Sequence, residues 1–548
     1  MSASSKKKLR KELNAAAMTE KQLQEQKEAK KLRLYTGIFA VAIAVMILVV
    51  AFSRVSSSGI IPRSTTALTV GGTKVSAAEL NHYYIDSVNN FLNSYGDYVS
   101  MFGLDTTKAL DEQYYNEAEG QTWSDYFLES AAASAQNMYA VYNDAKANGF
   151  TLSAESKASI DETVENMALY ATLYGFSSSD AYIAAMYGEG CNEETFRQYA
   201  EVQMTAQEYA NAKNESLTYD DAALRAEEAE NFNAYSSFPY NYYYLGASSF
   251  YQGGTEDENG NKTYSDEEKA AGVAAAEAAA NSLLTATNAD ELNAAVAALE
   301  INASATNAAS TRCENYLYSS VSSIMADWVT GDRKAGDITV IPNTSSTHNH
   351  EDGEECTGEN DTTVTNGYYV VLFEGKDDNL IELVNVRHIL IGFEGGTTDE
   401  TTGVTTYSEA EKLTAKNAAE TILEAFLEGE KTEEAFAELA TKNTDDTGSQ
   451  TTGGLYENVY PGQMVTNFND WCFDSARKAG DTGIVETEYG YHVMYFVGNS
   501  GTTYRDFMIE STLRNADLTA WETALIEGAE LAIVNTKYVK TGLTLSSN

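Results

Sequence analysis

The chain has 548 residues, of which 43% are hydrophobic and 21% are charged. This is the composition of a folded protein with room for about three or four domains, and it excludes general disorder. Four Cys are too few for a fold held together by disulfides. The formal net charge of −45 excludes a nucleic-acid partner, because the phosphate backbone would be repelled.

The charge is unevenly distributed along the chain. Residues 1–34 carry ten Lys/Arg and four Glu, whereas the rest is strongly acidic. Residues 35–53 are almost entirely apolar, and as a helix at ~1.5 Å per residue they would span about 28 Å, close to a bilayer core. A basic flank stays on the cytoplasmic side. We therefore predict a single-pass anchor with the N-terminus in the cytoplasm; a cleaved signal peptide is the alternative.

The next part of the chain has helical periodicity. After a polar stalk at 54–66, the pattern predicts a helical domain over 67–225, opened by a strand–turn–strand at 69–75. Ser76 and Glu79 form a capping box, which satisfies the free N–H groups at a helix start. The many aromatic residues are read as the core of a helix bundle; a groove for unfolded chains is the alternative for some of them.

An internal repeat dominates the remainder. Residues 263–265, 333–337 and 367–368 recur as 406–408, 477–481 and 490–491. The repeat predicts two homologous domains at 238–378 and 382–500, each with strands separated by helices. The first copy carries an extra polar, acidic stretch around 343–366.

The chain has five His: His82, His348, His350, His388 and His492. The last two lie within apolar strands of the second copy. A buried imidazole needs hydrogen-bond partners, so each one alone is more often a structural residue than a catalytic one. His348 and His350 belong to an acidic tract that ends at Cys356. We read that tract as a solvated loop, with weak cation binding and a Cys313–Cys356 disulfide as open alternatives.

The second copy carries a set of motifs that resembles the parvulin-type (PpiC, or rotamase) peptidyl-prolyl isomerases. The motifs are Arg387-His388-Ile389-Leu390, Phe436-Ala437-Glu438-Leu439-Ala440, Gly453-Gly454, Gly462-Gln463-Met464 and Thr487-Glu488-Tyr489-Gly490-Tyr491-His492. The family's Gly-Gly-Asp-Leu-Gly turn is incomplete here, and the loop at 456–461 is spaced differently. We therefore expect the rim that faces the substrate to differ in shape from the family pattern.

The resemblance implies which residues form the site. His388, Asp446, Thr487 and His492 would form the catalytic polar network, and Leu455, Gln463, Met464 and Phe468 would bind the substrate proline. Rotation about an X–Pro bond breaks no bond, so the resemblance implies no cofactor and no metal. The substrates would be unfolded or partly folded exported polypeptides that contain X–Pro bonds.

The first copy is predicted to have lost this chemistry. Tyr369 aligns with His492, either Leu245 or Tyr244 with His388, and Ala303 with Asp446. The helical domain resembles the N-terminal chaperone part of PrsA/SurA-like exported foldases, in which a C-terminal helical segment, here 504–545, packs back on the chaperone part. The predicted class is α+β, with one transmembrane helix, a helical chaperone domain, two tandem parvulin-like domains (the first degenerate) and that C-terminal segment.

Two non-enzymatic functions compete with isomerisation. The first is a holdase or surface interaction protein that uses the parvulin scaffold only for binding, and the second is a wall adhesin. A pure binder has no reason to keep His388, Asp446, Thr487 and His492 in one copy alone. An adhesin predicts a C-terminal sorting segment, which residues 542–548 do not resemble.

Overall fold

The structure is a computed structural model that describes residues 4–8, 59–299, 311–313, 317–347, 362–399 and 402–545. The predicted anchor at 35–53, the tract from His348 to Cys356 and Ala303 lie outside the described residues. Within these described ranges, no helix is both long and apolar enough to cross a bilayer.

Helices and strands alternate along the chain, which confirms the α+β class. Besides helical residues 4–8, the α-helices are α1 Ile60–Ser64, α2 Ala77–Tyr95, α3 Trp123–Ala147, α4 Ala154–Leu173, α5 Ser179–Tyr187, α6 Glu193–Ser216, α7 Asp221–Glu230, α8 Asp266–Ser282, α9 Ala289–Ala298, α10 Ser323–Val329, α11 Glu409–Glu428, α12 Glu433–Asn443, α13 Thr466–Cys472 and α14 Tyr504–Gly528. The strands are β1 Thr66–Val70, β2 Thr73–Ser76, β3 Tyr114–Asn116, β4 Gln121–Thr122, β5 Tyr240–Gly246, β6 Thr255–Glu256, β7 Lys262–Thr263, β8 Thr311–Cys313, β9 Ile338–Thr347, β10 Thr362–Phe373, β11 Glu382–Gly392, β12 Thr397–Thr398, β13 Thr405–Thr406, β14 Leu455–Val459, β15 Thr482–Thr487, β16 Gly490–Thr503 and β17 Leu531–Ile533.

The chain divides into two compact units. The first combines Met1–Thr218 with Arg514–Asn548, and the second is Tyr219–Leu513. In the first unit, β1 and β2 form the predicted hairpin, and the Ser76 hydroxyl accepts the N–H of Glu79 at 3.1 Å to begin α2. Helices α2, α3 and α6 pack around a core that includes Tyr83, Trp123 and Phe127. These buried aromatics confirm the predicted bundle core.

The C-terminal segment completes the first unit. β17 pairs with β1 in an antiparallel register, with Val70 opposite Leu531. The Trp521 ring on α14 lies 5.7 Å from the Tyr209 ring on α6. This pairing joins residues more than 400 positions apart in the sequence, so the third strand of the N-terminal sheet comes from the C-terminal segment.

The second unit contains two four-stranded sheets with the same layout. Their strand orders are β8-β5-β10-β9 and β14-β11-β16-β15, and all the pairings are antiparallel. In the second sheet, α11 and α12 cover one face, with Phe426 and Phe436 packed against Ile389 and Val493. The short α13 covers the other face, where Phe468 joins the core beside Met494. Strands β14 and β15 were not predicted, because short strands carry too few residues for a clear alternating pattern.

The register corrects one alignment between the two copies. Gly490 pairs with Gly392, and Gly367 pairs with Gly246. His388 lies four residues before Gly392, and Tyr242 lies four residues before Gly246, so Tyr242 occupies the place of His388. The assignment to Leu245 or Tyr244 is therefore wrong. The error arises because the first copy inserts a 3-10 turn, Ala247–Phe250, directly after its first strand. Because of that insertion, the spacing that aligns the two copies after the turn does not apply to the strand before it.

Candidate active site

The two strand histidines lie together on one face of the second sheet. In the register of β11 and β16, His492 faces Leu390 and His388 faces Met494. His388 and His492 are therefore diagonal neighbours on the same face, because successive side chains alternate between the two faces. Their Nδ1 atoms are 3.0 Å apart, and both side chains are buried.

Two further predicted residues extend this pair at its ends. Asp446 lies in the loop after α12, and its Oδ2 is 2.9 Å from His388 Nε2. Thr487 ends β15, and its hydroxyl oxygen is 2.8 Å from His492 Nε2. The structure thus brings His388, Asp446, Thr487 and His492 into one continuous chain of hydrogen bonds.

The direction of these hydrogen bonds follows from the charge states. An ionised Asp446 only accepts, so His388 carries its proton on Nε2 and donates it to the carboxylate. Neutral His388 then accepts at Nδ1 from the Nδ1–H of His492. This leaves His492 Nε2 to accept the hydroxyl proton of Thr487. Every ring nitrogen of the pair has a partner, as buried polar groups require.

Burial keeps both imidazoles neutral. It lowers the pKa of His388, although the hydrogen bond with Asp446 opposes the shift. Burial, with the neighbouring His388, lowers the pKa of His492 to about 4. Partial burial acts to raise the pKa of Asp446, but hydrogen bonds from Ser449, His388 and Tyr456 outweigh it and bring the pKa down to about 2. Near neutral pH the site therefore holds two neutral imidazoles and one carboxylate.

An apolar cavity of about 330 Å³ opens onto this network. Its walls are His388, Leu390, Asp446, Tyr456, Gln463, Met464, Val465, Phe468, Tyr489 and His492. The Phe468 ring stands edge-on to both imidazoles, with its centroid 5.3 Å from that of His492. Gln463, Met464 and Phe468 line the cavity from α13 and the loop before it.

Leu455 is absent from the cavity wall, and its neighbour Tyr456 takes that place. The two residues begin β14, and alternation along the strand turns their side chains to opposite faces. The Tyr456 hydroxyl donates to Asp446 Oδ2 at 3.0 Å. Ser449 also donates to Asp446 Oδ2. Sequence analysis missed both donors, and only the alternation along β14 could have suggested Tyr456.

The Gly453-Gly454 turn fixes the strand that carries His388. The backbone N–H of His388 donates to Gly454 O at 2.9 Å, and Arg387 donates from Nη1 to the carbonyls of Thr452 and Gly453. Gly454 has φ +72°, and a Cβ there would lie 2.1 Å from the carbonyl oxygen of His388. The second glycine of the motif is therefore needed for close backbone approach.

The corresponding place in the first sheet is aromatic. Tyr242 and Tyr369 stand where His388 and His492 stand, with ring centroids 5.9 Å apart. Asn343, opposite Gly367, takes the place of Thr487. Within the described ranges, no group of three or more His, Cys, Asp or Glu is arranged to hold a metal ion.

One comparison matches the segment that contains the site. Residues 368–498 match the family model described as PPIC-type PPIASE domain. The chain is 37% identical over 67 residues to Foldase protein PrsA 1 of Listeria innocua, covering 12% of this chain and 23% of that protein. It is 28% identical over 160 residues to Chaperone SurA of Pseudomonas putida, covering 28% of this chain and 33% of that protein.

Solved structures are similar over limited parts. The PrsA peptidylprolyl isomerase of Bacillus anthracis aligns at 20% identity and a TM-score of 0.17, over 27% of this chain and 59% of that one. The chain spans only about a quarter to a third of the length of the curated relatives above. Residues 368–498 of this chain carry a domain of the PPIC (parvulin) type, and parts of the chain are similar to PrsA and SurA proteins.

Proposed function

We propose that residues 382–500 catalyse cis–trans isomerisation of X–Pro peptide bonds. The observation that carries this proposal is the buried, neutral pair of His388 and His492 at the floor of an apolar cavity. The match of residues 368–498 to the PPIC-type PPIASE family, which covers nearly all of this segment, supports it.

The reaction asks for selective binding of a twisted amide. The barrier to rotation is ~18–20 kcal/mol, and no bond breaks on the way over it. A site accelerates rotation only if it binds the twisted form more tightly than the planar one. Met464, Phe468 and Leu390 offer apolar surface for the proline ring. Because this surface excludes water, polar interactions next to it are stronger than they would be in solvent.

The polar network supplies the electrostatic part. Asp446 Oδ2 already accepts from His388, Ser449 and Tyr456, and its low pKa makes it a poor nucleophile. Its role is to hold His388 in one tautomer, which in turn orients His492. At the rim, Gln463 Oε1 accepts the backbone N–H of Tyr460 at 3.1 Å, so its NH₂ group is the end that can donate to a bound peptide carbonyl.

We propose that the first parvulin-like domain, at 238–378, is catalytically silent. Tyr242 and Tyr369 replace the imidazole pair, and a phenol cannot accept a proton as an imidazole nitrogen does. The shared strand order supports a common scaffold for the two copies.

We propose a chaperone role for the helical domain at 67–225 with the C-terminal segment 504–545. The similarity to PrsA and SurA proteins supports this role. The clients would be unfolded or partly folded exported polypeptides, including those with X–Pro bonds.

We propose that residues 35–53 anchor the chain in the membrane, with the basic tail in the cytoplasm and residues 54–548 outside. Support comes from the apolar length and the positive flank in the sequence. N-terminal sequencing of the protein from membranes tests this: a mature chain that begins near residue 54 would contradict an uncleaved anchor.

A protease-coupled isomerisation assay on the full chain tests the catalytic proposal. We expect His492→Ala to lower kcat/KM roughly tenfold or more, since removing one group of a preorganised site costs up to ~10²–10³ in other enzymes. Tyr369→Ala is the matched control at the equivalent position of the first copy, and we expect full activity from it. Full activity in His492→Ala, or no activity in the wild type, would instead favour a holdase.

A further inference from the structure

Exposed and partly buried aromatic side chains lie together on the first unit. We call Phe91, Tyr95, Phe102, Tyr115 and Tyr126 the aromatic patch. Tyr95 is 40% exposed, Phe102 48% and Tyr115 46%. The rings form a continuous series of contacts: Tyr95 to Phe102 at 4.4 Å, Phe91 to Tyr95 at 4.7 Å, Phe91 to Tyr126 at 6.2 Å and Tyr115 to Tyr126 at 4.4 Å. Contiguous exposed apolar surface of this kind marks interaction sites on soluble domains.

The backbone that presents the patch is tied to the core. A 3-10 helix, Gly96–Phe102, follows α2, and Val99 from this turn is buried together with Leu104 and Leu110. The buried Gln113 closes the loop, because its Oε1 accepts Asp105 N–H at 2.8 Å and its Nε2 donates to Asp105 O at 2.9 Å. The rings are therefore held outward by a supported loop.

The segment of chain that carries the aromatic patch is rich in acidic residues. Residues 91–130 contain eight Asp/Glu and one Lys. The Nζ atom of this single lysine, Lys108, lies 3.1 Å from Asp105 Oδ2. Asp111, Glu112, Glu117 and Glu119 are exposed. Aromatic faces and carboxylates attract the same partner, because both stabilise a cation that also has apolar surface.

We propose that the aromatic patch binds extended polypeptide segments in which Lys or Arg stands next to apolar residues. The apolar side chains would contact the rings, while ammonium or guanidinium groups would lie over ring faces and near the carboxylates. An anionic membrane surface or a second copy of this acidic chain would be repelled by the same charges. The inference rests on the proposed polypeptide-binding function and specifies its surface and substrate class.

Fluorescence anisotropy with labelled peptides tests the inference on the full chain. Three proline-free peptides share the same apolar residues. At the positions between those residues, one peptide carries Lys and Arg, the second carries Gln and the third carries Glu. We expect the Lys/Arg peptide to bind about tenfold or more tightly than the Glu peptide, and this preference to shrink in ~0.5 M salt through screening. Equal binding of the Lys/Arg and Glu peptides would overturn the proposal.

Two variants separate the apolar and the charge contributions. Tyr95→Ser/Phe102→Ser should weaken binding of the Lys/Arg peptide about tenfold. Glu117→Gln/Glu119→Gln should weaken binding of the Lys/Arg peptide about threefold and leave binding of the Gln peptide unchanged. The matched control is Leu413→Ser/Leu427→Ser on α11, where the two side chains are 55% and 43% exposed. An equal loss in this control would show non-specific apolar binding and overturn the proposal.

Further measurements address other occupants and the dependence on the proposed function. The wild type and Tyr95→Ser/Phe102→Ser are compared in co-sedimentation with anionic vesicles and in sedimentation velocity. If the wild type binds vesicles or self-associates and the variant does not, the patch belongs to a membrane or to a second copy, and the proposal is overturned. Isomerase activity of the same variant should stay unchanged. Peptide binding that persists in His492→Ala would support the patch even if the catalytic proposal failed. Normal catalysis without any preference for Lys/Arg would contradict the patch alone.

Discussion

At the residue scale, the site depends on keeping two imidazoles neutral beside a carboxylate. His492 is flanked by Phe468, His388 and Thr487, and burial is the main reason that its pKa falls to about 4. His388 is held from the other side by Asp446, whose hydroxyl donors keep its pKa low. The network therefore has one stable protonation state over a wide pH range.

This state leads to a prediction about pH dependence. Because the pKa of His492 is lowered, we expect kcat/KM for an uncharged X–Pro peptide to be flat from pH 8 to about 5. It should fall as the pH approaches about 4, where His492 becomes protonated. The measurement is a pH–rate profile of the full chain. A midpoint near 6.5, the ordinary value for histidine, would contradict a buried neutral pair.

The same shift predicts how stability changes with pH. The unfolded chain takes up the His492 proton near pH 6.5 and the folded chain only near 4, so the free energy of unfolding decreases as pH falls through this window. At about 1.36 kcal/mol per pKa unit, the contribution is on the order of 3 kcal/mol. Urea unfolding at pH 7 and 4.5 measures it, with His492→Gln as the comparison. An identical pH dependence in His492→Gln would contradict the assignment.

At the element scale, the turn before β14 links the motif glycines to the position of His388. Gly454 pairs its carbonyl with the His388 N–H, and Arg387 binds the turn through two carbonyls. These hydrogen bonds tie the position of the turn to that of the strand that carries His388. Strand β14 also carries Tyr456, the donor to Asp446, so the turn supports both His388 and its carboxylate partner.

Gly454→Ala should disturb this coupling. The new Cβ meets the His388 carbonyl oxygen at 2.1 Å, in addition to the ~1–2 kcal/mol cost of a left-handed backbone. Gly403→Ala is the matched control, because Gly403 has φ +69° and nothing within 4 Å of an added Cβ. We expect Gly403→Ala to lose stability by about 1–2 kcal/mol with normal kcat/KM. Gly454→Ala should lose more stability and most of the activity. Equal effects in the two variants would contradict this role for the turn.

At the scale of the whole molecule, two units with different surfaces lie on one chain. The first unit is closed by the chain end through β17 and carries the aromatic patch. The second unit repeats one four-stranded layout and keeps the imidazole pair in a single copy. The first copy therefore has the scaffold without the imidazole pair, whereas the second copy has both.

This arrangement predicts that one substitution can remove isomerisation while the suppression of aggregation is kept. We expect His492→Ala to suppress the aggregation of an unfolded model protein as well as the wild type does, because the aromatic patch lies in the other unit. Light scattering during refolding measures suppression, and the isomerisation assay confirms that activity is reduced. Loss of both properties in His492→Ala would contradict separate surfaces.

The sequence alone determined the features that depend on neighbouring residues. The Ser76 cap predicted the start of α2, and the motifs of the resemblance singled out His388, Asp446, Thr487 and His492. These signals are local, since a cap or a period is written within a few positions. The resemblance to parvulin-type isomerases also named Gln463, Met464 and Phe468, which line the cavity.

Only the tertiary structure decided features that depend on distant partners. The register placed Tyr242 at the position of His388, and the fold placed the Tyr456 hydroxyl on Asp446. The pairing of β17 with β1 and the exposure of Phe102 also came from the structure. A one-residue shift in a strand turns every side chain to the other face. The physical reason is therefore that register and burial are set by contacts across the whole chain.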